Sequence, residues 1–189
     1  MTFPSLRCWR DPERSAASGA LIVLGAALAI GCGGDDGAVS SERHAMLAQI
    51  GADVVLPTYR ELSTAAADLA FSASAFGASP TAETLDETRS AWRHARAAWR
   101  RGRAFEFGPA ERMRTFAKID FAPIRADRIE QEIADTAELT PEHVAALGAN
   151  VKGFIAIEYL LFDPDGDDDA VLASFSGGDG RRAAYLAAL

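Results

Sequence analysis

Apolar residues recur along most of this chain at the three-and-four spacing of a helix, and no stretch alternates in the manner of a strand. From about Glu42 to Phe76 the anchors are Leu47, Ile50, Val54, Leu62, Ala66 and Leu69, with Ser40-Ser41 as a capping start. Pro57 falls inside this run and predicts a kink or a break into two helices. Gly77-Ala78-Ser79-Pro80 is a stop, and a second helix is expected from Ala82 to Arg101. There Leu85, Trp92 and Trp99 repeat every seven residues, with alanines at 91, 95 and 98 that let a neighbour approach. Between Gly102 and Ala122 the pattern becomes irregular, with Phe116, Ile119, Phe121 and Ile124 as anchors for short helical pieces. A short helix fits Arg125 to Ala137, and Thr140-Pro141 opens another that runs to Asp163-Pro164, with break points offered at Gly148 and Gly153. The expected class is all-α, a helical bundle.

One residue in the last helix is out of keeping with its surroundings. In Gly153-Phe154-Ile155-Ala156-Ile157-Glu158-Tyr159-Leu160-Leu161-Phe162 a single carboxylate interrupts nine residues suited to a core. A buried carboxylate needs a partner or a proton. Glu158 could be a metal ligand or general base, but the commoner arrangement is an ion pair where two helices meet. The partner would come from Arg89, Arg93, Arg96, Arg100 and Arg103, which step by four and three along the second helix as a basic stripe. The stripe, with Arg93, Arg96 and Arg100 at its centre, could bind phosphate, carboxylate or the propionates of a haem. The plainer reading is a solvated face paired with acids.

Other candidate chemistry is weaker. Asp163, Asp165 and Asp167 suggest calcium, but twelve residues from Asp163 end at Ser174 where a bidentate glutamate belongs. A solvated acidic loop is the better expectation. His44, His94 and His143 are spaced as no metal motif, and neither a nucleophile elbow nor a phosphate-binding glycine loop is present.

Composition narrows the partners and the compartment. The 189 residues are 49% hydrophobic and 24% charged, with a net charge of −8, which makes nucleic acid a poor partner. Arg7, Arg10 and Arg14 precede an apolar run from Gly19 to Gly31, too short for a membrane span and suited to a signal peptide. The run ends in Ala29-Ile30-Gly31-Cys32, similar to a bacterial lipobox, although alanine stands at its usual leucine position. This predicts a signal peptide over 1–31, lipidation at Cys32, a flexible tether over 32–41 and a domain over 42–189. The protein would then be tethered to a membrane, facing the periplasm, in the bacterial cell envelope. Cys8 would leave with the leader, so a disulfide within the mature chain is excluded.

The GFIAIEYLLF helix, the segment from Ser90 to Pro109 (SAWRHARAAWRRGRAFEFGP), Lys118 to Pro123, Arg128-Ile129-Glu130 and the Pro57-Thr58-Tyr59 break together resemble the imelysin-like family of bacterial envelope proteins. The resemblance implies two related helical bundles, an envelope location and an association with iron. It also implies, for some members, a metallopeptidase activity resting on a G-x-H-x-x-E signature. Here Gly153 and Glu158 match, while Ile155 stands at the histidine position and can neither ligate a metal nor carry a proton. Zinc, iron and haem are the cofactors the resemblance brings into view, with Glu158 as the metal-ligand candidate. The expected function is a binding or accessory role in iron or metal handling without peptidase activity. The alternatives are a metal-dependent peptidase using Glu158 and a degenerate, non-functional fragment. The family's domain is longer than this chain, so one half of a two-bundle domain is expected, with a homodimer or a partner covering the exposed bundle face.

Overall fold

A computed structural model describes residues 36–177 and 179–189. The expected signal peptide and the lipidation site at Cys32 lie outside the described residues. Among those described there is helix and no strand, as the periodicity requires. The elements are α1 (Asp36–Ile50), α2 (Leu56–Ala78), α3 (Ala82–Gly102), α4 (Pro109–Arg112), α5 (Thr115–Ile119), α6 (Ala126–Ala134), α7 (Pro141–Ala146), α8 (Phe154–Leu161), α9 (Asp168–Ser176) and α10 (Arg181–Ala188).

Helix α1 starts at Asp36, so residues 36–41 are helical and the tether expected over 32–41 is shortened at that end. The break expected at Pro57 takes another form. Gly51–Val55 is a π-turn joining α1 to α2, and the Leu56 N–H donates five residues back to the Gly51 carbonyl. Proline has no N–H and its ring crowds the carbonyl four residues earlier. A widened turn ahead of Pro57 relieves both while the chain stays helical.

Helices α2 and α3 form an antiparallel hairpin. Thr88 donates to the Ser72 carbonyl at 3.0 Å, Arg101 pairs with Glu61, and Tyr59 donates to the Phe105 carbonyl at 3.2 Å. In each pair one residue number rises as the other falls, which fixes the direction. The turn is closed by a capping box in which Thr81 and Thr84 satisfy each other's backbone N–H groups. Leu85, Trp92, Ala95, Ala98 and Trp99 are buried, as the seven-residue repeat predicts.

The rest of the chain packs over this hairpin. Helix α8 lies on α3, and α10 lies on α2 closely enough that a Cβ on Gly77 would sit 3.1 Å from Ala183 Cβ. The core is aromatic: Trp99 stacks on Phe116 at 4.3 Å, Phe76 meets Phe175 at 4.6 Å, and Trp92 meets Phe162 at 5.2 Å. The acidic segment expected as a solvated loop ends in helix α9. Asp167 starts it by accepting from the Ala170 N–H at 3.0 Å.

Candidate functional site

The site grows from the way α8 meets α3. Gly153 begins α8 with φ +78, and a Cβ there would lie 2.1 Å from the Ile119 carbonyl oxygen. Only glycine tolerates both the backbone angle and the contact. The close approach brings α8 against the end of α5, and Trp92 of α3 fixes the start of α8 by donating its indole N–H to the Phe154 carbonyl at 2.9 Å. Phe154, Ala156, Ile157, Leu160 and Leu161 are buried, leaving Ile155, Glu158 and Tyr159 as a half-buried stripe at steps of three and one.

Glu158 meets Arg96. The Arg96 Nη1 donates to Glu158 Oε2 at 2.7 Å, and its Nη2 lies 3.4 Å from Asp120 Oδ1. Side-chain exposure is 17% for Arg96, 15% for Asp120 and 41% for Glu158, so the glutamate is the wettest of the three. The same guanidinium lies 5.1 Å from the Trp92 ring. The lone carboxylate of the GFIAIEYLLF helix is therefore half-exposed and paired to the basic stripe.

The stripe itself is divided. Arg89, only 9% exposed, donates Nε to the Leu161 carbonyl at the end of α8 and pairs with Asp168 of α9 at 2.7 Å. It caps one helix and ties down the next. Arg93 and Arg100 are exposed, and with Arg96, Trp92 and Ala97 they border an open surface hollow of about 460 Å³ along one face of α3. Arg93 also lies 5.5 Å from the Phe162 ring. Thus Arg93, Arg96 and Arg100, grouped from the sequence as an anion site, do share one surface. Asp120 lies in the Lys118 to Pro123 segment, 24 residues from Arg96 along the chain, and nothing in that spacing points to the contact.

The donors around Glu158 do not fit a catalytic metal. Ile155 contributes no ligand atom, and one guanidinium contacts both nearby carboxylates, so a dication would have to displace a charge already paired there. The histidines are elsewhere. His44 contacts the Ser40 carbonyl on α1, His94 is exposed on α3, and His143 Nε2 lies 3.5 Å from Glu132. Among the described residues no group of three His, Cys, Asp or Glu side chains is placed to hold a metal ion. The calcium candidates do not converge either: Asp163 accepts from the Asp165 N–H at 2.8 Å and Asp167 caps α9.

A second polar cluster, not foreseen from sequence, joins α6, α8 and α10. Glu130 accepts from Tyr159 at 2.8 Å and from Arg182 at 2.6 Å, and burial with the neighbouring Glu130 carboxylate raises the Tyr159 phenol above its ordinary range. Among the described residues no helix is long and apolar enough to cross a membrane.

Comparison with known proteins agrees with the resemblance. A family model described as Imelysin matches residues 55–189. Iron-regulated protein A of Synechococcus elongatus (strain ATCC 33912 / PCC 7942 / FACHB-805) is 30% identical over 109 residues, which cover 58% of this chain and 29% of that protein. The match thus spans less than a third of the relative's length. No solved structure matches.

Proposed function

This chain belongs to the imelysin family, and from that premise we propose that it is a lipid-anchored, periplasm-facing binding or accessory component of iron handling, without peptidase activity of its own. The observation that carries the reading is the Arg96–Glu158 pair beside an open hollow bordered by arginines. An acid held by a guanidinium is poorly placed to grip a catalytic cation, whereas Arg93 and Arg100 offer forked donors to an anion. The name of the iron-regulated relative supports iron as the cargo. Iron would then arrive as an anionic complex, either a carboxylate chelate or a haem with its propionates. The chain's overall charge of −8 is spread over its surface, and those charges more than about 8–10 Å from an anion are largely screened from it at physiological salt.

The test is a binding titration with ferric citrate and with haem. Saturable uptake that weakens at least about tenfold in the Arg93→Ala/Arg100→Ala variant is expected, since each forked contact to an anion contributes on the order of 1.5–3 kcal/mol. Uptake of neither complex, or uptake unchanged in the variant, contradicts the proposal. Stoichiometric zinc together with proteolysis lost in Glu158→Gln would establish the peptidase instead. A degenerate fragment would bind nothing and unfold readily. The anchor is tested separately by fractionation: Cys32→Ala is expected to move the protein from the membrane fraction to the soluble one, and no movement contradicts lipidation.

A further inference from the structure

Exposed apolar side chains and unpaired cations gather in one stretch, the irregular connection between α3 and α6. Phe107, Met113 and Phe121 are 59%, 64% and 40% exposed. Arg103, Arg112, Arg114 and Lys118 are exposed as well, and among the described residues none of these four side chains is hydrogen-bonded or ion-paired. By contrast Arg89, Arg96, Arg101 and Arg182 each pair with a carboxylate. The exposed carboxylates of the stretch, Glu106 and Glu111, are fewer than its cations, and Asp120 is largely buried beside Arg96. A chain of net charge −8 thus keeps a local cationic excess here. Helix α4 is a single turn, about 6 Å long, with Phe107 just before it and Met113 just after it. Pro109, Glu111, Arg112 and Arg114 are exposed around that turn, so it stands clear of the core as a tip. The hairpin places the tip at the end where Tyr59 donates to the Phe105 carbonyl, the end at which α1 leads into α2.

We propose that the tip over 103–121 docks on an anionic phospholipid surface. Phe107 and Met113 would enter the boundary between headgroups and acyl chains, while Arg103, Arg112 and Arg114 stay with the phosphates. Charge complementarity selects this occupant: each cation held near an anionic bilayer strengthens attachment about fivefold. A second copy meeting the first through its own tip would set the same cationic excess against itself. The docking is separate from the hollow bordered by Arg93 and Arg100, and depends neither on the iron reading nor on lipidation at Cys32.

Hydrogen exchange of the full chain, carrying Cys32→Ala so that no acyl chain contributes, tests it with vesicles. The apolar run over 19–31 can itself enter a bilayer, so the readout is local: the exchange of residues 103–121. Vesicles of phosphatidylglycerol and phosphatidylethanolamine are expected to slow it, and phosphatidylcholine vesicles are not. About 0.5 M salt is expected to weaken the protection, because it screens exposed charges. Arg103→Ala/Arg112→Ala should require at least about tenfold more lipid for the same protection. Phe107→Ser/Met113→Ser should require at least about tenfold more as well, since the apolar area is no longer buried. Unchanged exchange in α3 and α6 of both variants checks that they fold. Exchange over 103–121 that anionic vesicles leave unaltered, or that phosphatidylcholine slows equally, overturns the proposal. Folded variants protected as well as the parent overturn it too. Protection that needs no vesicles and rises with protein concentration assigns the tip to a second copy instead.

Discussion

Arg96 is the residue on which the local arrangement turns. It serves two carboxylates unequally, with a short bond to the half-exposed Glu158 and a longer contact to the more buried Asp120. Neutralising Glu158 should therefore cost little, under about 1 kcal/mol, because exposed ion pairs contribute only modestly. Arg96→Ala should cost more, about 2–3 kcal/mol, because it leaves the Asp120 carboxylate buried without its cation. Denaturant unfolding of the two variants checks the order, and equal costs would mean that Asp120 gains nothing from Arg96. Gly153→Ala is expected to be worse than either, at about 3 kcal/mol or more, since strained φ and overpacking act together. A melting temperature near wild type would show that the approach of α8 to Ile119 is looser than described. From sequence, Glu158 could be assigned an arginine partner but not a particular one. The choice among five arginines depends on how α8 crosses α3, and the close packing at Gly153 that sets this is a tertiary event. The same limit hid Asp120, whose relation to Arg96 exists only once α5 has been placed.

Among the elements, those with strong local signals were legible. The helix start at Ala82, the Leu85–Trp92–Trp99 face and the Thr140-Pro141 start are set by residues within a turn or two, and each stands where the pattern puts it. Pro57 was legible as a disturbance, but its resolution as a π-turn was not, because several backbone geometries relieve the same clash. Helix α9 was hidden by its acidic start, which reads equally well as a loop until Asp168 is seen beside Arg89. Another long arginine joins elements that sequence leaves unconnected. Arg181, at the start of α10, donates to the carbonyls of Ile133 and Ala137, and so fastens α10 to the end of α6. Removing it as Arg181→Ala should leave these carbonyls short of a donor and cost about 1–3 kcal/mol. Hydrogen exchange would register this as faster exchange in α6 and α10, and unchanged protection there would contradict the role.

At the scale of the whole molecule, stability at high pH should depend on Tyr185. Burial, with the Glu132 charge nearby, pushes its phenol from the usual 10.0 up to about 12. The folded protein therefore holds this proton more tightly than the unfolded chain does. The associated stability is fully present below pH 10 and is lost as pH rises from 10 towards 12. Thermal melts across that range should fall in wild type, and Tyr185→Phe should remove part of the slope. Association is the other property at this scale. Met46, Leu47, Ile50 and Val54 are exposed along α1 and the π-turn, and we propose that a second copy of the chain packs on this apolar stripe. Light scattering is expected to show association that Ile50→Glu abolishes, and a wild-type monomer at every concentration contradicts it.

The central claim is that Glu158 serves Arg96 and is not a metal ligand. Thermal unfolding of wild type and Glu158→Gln, each with and without excess zinc, tests it most directly, because a ion bound only by the folded state raises the melting temperature by mass action. The account predicts that zinc shifts both proteins alike. A zinc-dependent rise of several degrees in wild type that vanishes in Glu158→Gln would contradict it.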